Sequence, residues 1–208
     1  MIKNILHKML MVVGIIKTNG FGYLVRQIPE ALFLKRTFYV LEYDLDKAAP
    51  LDGVPNNWEI RKNDIDYLEY CRQSLGRLPL EFNYDKIDKC DHFYILSIKN
   101  EKNPKPAAIC WIYNNRLINR VIKLKDNEVE LKHGITLDEH RGLGMFTILV
   151  KAMLYDLKTM GYKKTVNIIE EHNDASLTIF RNKYKFEITG KKTLRKIAGI
   201  TVSKRYES

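Results

Sequence analysis

The chain has 208 residues, of which 45% are hydrophobic and 29% charged, and its formal net charge is +10. This balance is typical of a folded domain with a sizeable core, and it excludes an intrinsically disordered protein. The three cysteines, Cys71, Cys90 and Cys110, form no Cys-x-x-Cys pair, and the five histidines show no metal-ligand spacing. We therefore expect reduced thiols in a cytoplasmic protein without a bound metal.

The first 34 residues are predicted to form an amphipathic helical extension to a domain that spans residues 35–208. Apolar residues dominate positions 2–16, but the uninterrupted apolar run from Met9 to Ile16 is too short to span a bilayer. A second helix is predicted up to Leu34. We expect the apolar face to dock on the domain or on a second copy of the chain, as in a homodimer. Peripheral contact with an anionic membrane surface is the alternative.

The middle of the chain alternates between β-branched or aromatic segments and helical periodicity. Strands are expected at residues 36–44, 58–61, 92–99, 107–113 and 117–125. Helices are expected at residues 63–75, with Asn63 as the N-cap, and at residues 80–89. The predicted order is therefore a strand, two helices and a run of antiparallel strands.

A glycine-rich turn, Arg141-Gly142-Leu143-Gly144, separates a predicted strand at residues 130–137 from a predicted helix at residues 145–160. Glycines at the head of a helix leave backbone N–H groups unobstructed where the helix dipole is positive, which favours a bound phosphate. The alternative is a tight turn that needs glycine only for a positive φ. The elements that follow this helix decide between the two interpretations.

After this helix, the pattern predicts a strand at residues 163–169, a turn, and a helix at residues 174–183. With Arg141, Gly144, Asn173 and Ser176 in place, this order resembles the GNAT acetyltransferase superfamily, whose acyl-CoA signature is Arg/Gln-x-x-Gly-x-Gly/Ala. The third signature position is occupied by Phe146 in this chain. The resemblance implies an α/β fold in which helices flank a mixed, mostly antiparallel sheet.

The resemblance also implies which residues hold acetyl-CoA or another short acyl-CoA. Backbone amides of the turn would bind the pyrophosphate, and they belong to Arg141, Gly142, Leu143, Gly144, Met145 and Phe146. Thr136 and Leu137 are expected to pair through their backbone with the pantetheine arm. Asn173, followed by Ser176, matches the residue whose side chain contacts pantetheine, although a helix N-cap would explain the same position.

The chemistry that the resemblance implies needs a group that removes a proton from the acceptor amine, because an ammonium has no lone pair. Carboxylates at Glu130 and Glu170, with His133 and His172 beside them, are the candidates, and we favour Glu170 because it leaves the strand where two central strands should separate. The tyrosine that usually protonates the departing thiolate is replaced by Phe180. Tyr184, four residues later on the same helical face, is the nearest substitute.

The function implied is transfer of an acetyl or short acyl group from acetyl-CoA to a primary amine of a small molecule, such as an amino sugar or nucleotide sugar. The alternative is a CoA-binding or assembly module that has lost turnover, at a membrane surface or elsewhere, since Phe146 and Phe180 depart from the signature. The acceptor itself is left open.

Positive charge is concentrated at the two ends of the chain. Residues 1–37 carry a net charge of +5 and residues 181–208 carry +7, which leaves about −2 for the rest. These basic ends could face CoA phosphates, an anionic acceptor or solvent. No nucleic-acid-binding signature accompanies them, and we expect no nucleic-acid partner.

Overall fold

A computed structural model describes residues 33–75, 78–83, 91–99, 104–116, 122–197 and 200–207. The chain divides into two compact units, a larger one from Tyr39 to Gly190 and a smaller one that includes residues 33–38 and 191–207. The predicted helical extension falls mostly on residues 1–32, which lie outside the described residues. Phe33 and Leu34 belong to a strand, so the last two residues of the second predicted helix are not helical.

Eight strands and three α-helices make up the described chain. The strands are β1 (Phe33–Asp44), β2 (Trp58–Lys62), β3 (His92–Ile98), β4 (Lys105–Tyr113), β5 (Glu128–Thr136), β6 (Lys164–Glu170), β7 (Glu187–Ile197) and β8 (Ile200–Glu207). The helices are α1 (Ile65–Ser74), α2 (Met145–Thr159) and α3 (Asp174–Thr178), and a π-helical turn at Ile179–Lys183 continues α3. In the described ranges, none of these helices has the length and apolar character needed to cross a bilayer.

The sheet of the larger unit has the strand order β2-β3-β4-β5-β6-β1-β7. Strands β2 to β5 pair antiparallel with their neighbours, whereas β5 and β6 pair in parallel. The parallel pair is expected because α2 forms a crossover between β5 and β6. The sheet is therefore mixed and mostly antiparallel, with helices beside it, and the predicted fold class is confirmed.

Two hydrophobic clusters lie on opposite faces of this sheet. Along β4, Ala108, Cys110 and Ile112 belong to the cluster that contains the buried side of α2. The alternate residues Ile109, Trp111 and Tyr113 belong to the cluster that contains the buried side of α1. We call these the α2 face and the α1 face of the sheet. Because neighbouring side chains of a strand point to opposite faces, the pairing with β4 also assigns the residues of β5 to one face or the other.

The smaller unit consists of strand segments. Strands β7 and β8 pair antiparallel from Lys191 opposite Glu207 to Ile197 opposite Ile200. The first part of β1 also belongs to this unit, and the hydroxyl oxygens of Thr37 and Thr193 are 3.3 Å apart. The sequence pattern did not predict β7 or β8, because their many lysines and arginines indicated only a basic segment.

Several local predictions need correction. Asp64, not Asn63, caps α1, and its carboxylate accepts a hydrogen bond from the backbone of Tyr67. Residues 122–125 are not part of a strand, and residues 117–121 lie outside the described chain. The described start of the predicted helix at residues 80–89 is a short 3-10 turn, Leu80–Phe82. The α3 helix ends after five residues and gives way to the π-helical turn.

Candidate functional site

The central feature of the site is a fork between the parallel strands β5 and β6. Their pairing covers only Glu128 to Glu130 on β5 and Lys164 to Val166 on β6. Strand β5 nevertheless continues to Thr136, and β6 continues to Glu170. Beyond Glu130 and Val166 the two strands therefore separate and leave backbone edges that an extended ligand can reach.

A β-bulge lies in β5 beside this fork. Ile109 pairs with Ile135 and Trp111 pairs with Lys132, so the single residue Cys110 is opposite two residues of β5. Those two residues are His133, with a φ of 50°, and Gly134. A bulge bends its strand and interrupts the regular ladder, and bulges are frequent next to active sites.

The glycine-rich turn leads from β5 into α2 and presents free amide groups. Gly142 and Gly144 have φ values of 80° and 77°, which confirms that the turn needs glycine for its conformation. Gly144 is the N-cap of α2, and no side chain caps this end of the helix. Among the described residues, the N–H groups of residues 142–147 have no backbone acceptor. The tight-turn interpretation therefore holds, and an anion site at these N–H groups stays a prediction.

The N–H groups without a backbone acceptor belong to residues 142–147, one position later than the predicted residues 141–146. The N–H of Arg141 donates to the carbonyl of Asp138 at 3.2 Å and is therefore already used inside the protein. Its guanidinium is largely exposed and forms an ion pair with the Asp138 carboxylate at 2.8 Å. Leu143 is also exposed, whereas Met145 is buried under the helix. Thr147 replaces Arg141 as a source of a free N–H group.

Thr136 and Leu137 differ in the availability of their backbone groups. The N–H of Leu137 donates to Ala107 on β4, and its carbonyl accepts from His140, both at 2.9 Å. Leu137 therefore does not offer the free backbone pair that the sequence predicted. Because backbone groups alternate between the two edges of a strand, those of Thr136 point away from β4 towards the open side of β5.

Phe146, at the third signature position, packs against Gly134 of the bulge. A Cβ atom added at Gly134 would lie only 2.5 Å from Cζ of the Phe146 ring and 3.4 Å from the Cys110 sulfur. Glycine at position 134 thus makes room for a ring where the signature usually has a residue without a side chain of this size. No local pattern in the sequence predicted this contact.

Asn173 and Ser176 lie at the start of α3, after the end of β6. The side-chain oxygen of Asn173 accepts a hydrogen bond from the backbone N–H of Ser176 at 3.1 Å. Asn173 is therefore the N-cap of α3, as the alternative interpretation predicted. Its amide NH2 group has no acceptor among the described residues, so a contact with pantetheine stays a prediction.

Tyr184 lies in the core beside Phe180 and α2. The two rings meet edge to face with centroids 5.2 Å apart, and the Tyr184 hydroxyl donates to Thr147 at 3.4 Å. Only 4% of Tyr184 is exposed, and burial raises the pKa of its hydroxyl to about 12. The group is therefore protonated at neutral pH, next to the third residue of α2.

The two candidate carboxylates lie at different places along the fork. Glu130 is the last residue of β5 that pairs with β6, and only 2% of it is exposed. Glu170 lies four residues beyond Val166, which corresponds to roughly 13 Å of strand. Glu130 is on the α1 face, since its neighbours Val129 and Leu131 belong to the cluster on the α2 face. Of the histidine candidates, His133 lies in the bulge, whereas His172 is exposed in the turn after β6.

The described residues provide neither a cluster of metal ligands nor an exposed thiol. In the described part of the chain, no group of three or more His, Cys, Asp or Glu side chains could hold a metal ion. Cys71 and Cys110 are buried free thiols, and burial raises their pKa values to about 11 and about 12. Such thiols are protonated and inert at neutral pH.

Comparison by sequence yields no protein-family model and no curated protein that matches the chain. Comparison by structure yields many similar folds. A putative GNAT acetyltransferase from Novosphingobium aromaticivorans is 14% identical with a TM-score of 0.52, and the match covers 78% of this chain and 65% of that one. A GCN5-related N-acetyltransferase from Sphaerobacter thermophilus is 12% identical with a TM-score of 0.52, over 86% and 57% of the two chains.

A tandem GNAT protein from the clavulanic acid biosynthesis pathway is 16% identical with a TM-score of 0.53, over 79% of this chain and 54% of its own. In all three cases the chain spans less than two thirds of the length of the matched structure. At these identities the likeness concerns the fold, and the sequence resemblance to the same superfamily agrees with it. The described chain therefore has the fold of the GNAT acetyltransferases.

Proposed function

We propose that this protein is an acyltransferase that moves an acetyl or other short acyl group from acyl-CoA to a primary amine of a small molecule. The observation that carries the proposal is the fork between β5 and β6, with a free amide cradle at the head of α2 beside it. A fork offers strand edges to an extended arm, and a cradle offers N–H donors to phosphates. Their combination suits a CoA thioester better than a free nucleotide or a phosphorylated peptide.

The cradle has room for the pyrophosphate of such a ligand. A Cβ atom added at Gly142 or Gly144 would meet no atom of the described chain within 4 Å apart from its immediate neighbours in sequence, so this part of the structure leaves open space beside both glycines. The free N–H groups of residues 142–147 surround this space at the positive end of α2. When bound there, acyl-CoA would supply an activated acyl group. Thr136 would then pair with the pantetheine arm through its backbone, and Asn173 would donate its amide to the same arm.

Proton transfer would be carried out by two side chains on opposite faces of the sheet. We assign removal of the amine proton to Glu130, because it lies where the strands begin to separate, whereas the sequence analysis favoured Glu170, which stays the second candidate. Tyr184 would donate a proton to the departing thiolate from the α2 face, since its hydroxyl is neutral at physiological pH. Substitutions distinguish the two carboxylates: if Glu130 removes the amine proton, its loss should lower kcat far more than the loss of Glu170.

A CoA-binding module without turnover is the second candidate. The observations in its favour are Phe180 at the usual tyrosine position and the hydrogen bond that already engages the Tyr184 hydroxyl. We favour the enzyme, because solvent can protonate a thiolate leaving group when no acid is present. An amino sugar or a nucleotide sugar is the acceptor we propose. The buried thiols agree with a reducing, cytoplasmic location.

Release of free thiol from acetyl-CoA tests the proposal. The purified chain is incubated with acetyl-CoA and a panel of amino sugars, nucleotide-linked amino sugars, amino acids and polyamines. The enzyme predicts amine-dependent thiol release that Glu130→Gln abolishes while CoA binding persists. A folded protein that binds CoA but releases no thiol with any amine would instead support the module.

A further inference from the structure

One side chain on the α1 face of the sheet has a polar atom without a partner. Tyr113, the last residue of β4, is only 9% exposed, and its hydroxyl is buried with no hydrogen-bond partner among the described residues. A buried hydroxyl that forms no hydrogen bond destabilises a fold, and such groups are rare in native proteins. The unsatisfied hydroxyl therefore indicates a polar ligand at this place.

A lysine lies beside the same ring. The Lys132 ammonium is 5.1 Å from the centroid of the Tyr113 ring, a cation–π distance. His133 of the bulge also approaches this ring edge to face, with the two ring centroids 6.1 Å apart. Within the described part of the chain, the Lys132 ammonium forms no ion pair with a carboxylate. The phenol hydroxyl and the ammonium are both hydrogen-bond donors.

These donors lie next to the fork. Tyr113 is directly opposite Glu130 in the pairing of β4 with β5, and Glu130 is the residue at which β5 leaves β6. Lys132 follows two residues later on the same face, because side chains alternate along a strand. Tyr113 and Lys132 thus flank the face from which an acceptor would approach Glu130, opposite the face occupied by Tyr184.

We infer that Tyr113 and Lys132 bind an anionic group of the acceptor, a carboxylate or a phosphate, while its amine lies at the fork. The inference rests on the proposed function and narrows the substrate class to amines that carry a negative charge. An ammonium gives a strong, charge-assisted bond to such a group, and the phenol hydroxyl adds a second donor. His133 lies beside these two donors through its edge-to-face contact with the Tyr113 ring.

Matched pairs of acceptors test the inference. One pair is glucosamine 6-phosphate and glucosamine, and others are ω-amino acids and their amides of equal length. The anionic member of at least one pair should have a kcat/KM about tenfold higher or more, as a charged hydrogen-bonded pair supports. Phosphate and carboxylate pairs show which anion the site prefers. Equal kcat/KM values within every pair would overturn the inference.

Variants locate the effect on the two side chains. Lys132→Gln should remove the preference by raising KM for the anionic acceptor, with kcat and the KM for acetyl-CoA unchanged. Lys151→Gln, an exposed lysine on α2, removes the same charge elsewhere and should leave the preference intact. Loss of the preference in both variants would mean that net charge, and not this site, selects the acceptor.

Thermal stability provides a readout that needs no turnover. Without ligand, Tyr113→Phe should leave the melting temperature unchanged or raise it, because the hydroxyl has no hydrogen-bond partner to lose among the described residues. Glucosamine 6-phosphate or an ω-amino acid should stabilise the unaltered chain but not the variant, whether or not acetyl-CoA is bound. A marked fall in melting temperature would show a structural partner for the hydroxyl and overturn the inference. If the chain bound the anionic amine but not CoA, the proposed function would be wrong, whereas the anion site at Tyr113 and Lys132 would still hold.

Discussion

The contact between Gly134 and Phe146 shows how one residue can permit an unusual one elsewhere. The Phe146 ring occupies the space where a side chain at position 134 would begin. The two residues are twelve positions apart on a strand and a helix, so no local pattern reveals that they touch. The motif predicted the cradle, whose conformation depends on adjacent glycines, but it could not predict a contact that depends on the fold.

This contact predicts a non-additive pair of substitutions. Gly134→Ala should lower the free energy of unfolding by about 1–3 kcal/mol, because the ring must move. The φ of Gly134 is not positive, so alanine adds no backbone strain. In a Phe146→Ala background the same change should be nearly neutral, with a coupling energy of about 1 kcal/mol or more in urea denaturation. Additive effects would mean that the two residues do not interact.

The proposed role of Tyr184 as proton donor predicts a specific effect of its substitution on kcat. As a proton donor it should act over the whole neutral and alkaline range, because its pKa of about 12 keeps it protonated. Tyr184→Phe should lower kcat by roughly 10²-fold while the affinity for CoA stays unchanged. Thiol-release kinetics and calorimetry measure the two quantities. An unchanged kcat would show that solvent protonates the thiolate and that Tyr184 only supports the core.

Among the elements, β1 shows what the sequence pattern predicts and what it leaves open. The sequence predicted a strand at residues 36–44, and the strand is present, but its neighbours in the sheet are β6 and β7. Local periodicity identifies a strand and its buried face, whereas its neighbours depend on long-range pairing. Charge-rich edge strands such as β8 are hard to predict for a related reason, because their lysines and arginines obscure the alternating pattern.

An interior strand should be sensitive to truncation of its buried residues. Leu41 in β1 is fully buried, so Leu41→Ala should lower the free energy of unfolding by about 2–5 kcal/mol. Glu42, its neighbour, forms a partly exposed ion pair with Lys164 at 2.6 Å, and Glu42→Ala should cost less than about 1 kcal/mol. Urea denaturation measures both. A cost below 1 kcal/mol for Leu41→Ala would mean that β1 contributes little to the sheet.

At the scale of the whole molecule, buried tyrosines and cysteines determine the dependence of stability on alkaline pH. Burial raises the pKa values of Tyr43, Tyr67, Tyr94 and Tyr162, and a hydrogen bond from Tyr94 to Asp156 adds to the effect at Tyr94. The same cause raises the pKa values of Tyr184, Cys71 and Cys110. All these groups bind their protons more tightly in the folded state than in the unfolded state.

The sign of the effect follows from this difference. Stabilisation is complete below the unfolded pKa values, about 8.5 for cysteine and about 10 for tyrosine, and it is lost as the pH rises through the folded values. The folded values of Cys71, Cys110 and Tyr184 are about 11, about 12 and about 12. The free energy of unfolding should therefore fall steadily from pH ~9 to pH ~12 in urea titrations. A constant value over this interval would show that these groups are accessible to solvent.

Calorimetric titration of the purified chain with CoA measures whether the turn at the head of α2 binds the phosphates of CoA. Two glycines with a positive φ and open space beside them flank α2, Gly144 at its start and Gly161 after its end. A valine at either position strains the backbone, but only Gly144→Val obstructs the cradle. We predict one-to-one binding that Gly144→Val weakens by about tenfold or more and Gly161→Val leaves unchanged. A folded chain that binds no CoA at millimolar concentration would contradict the account.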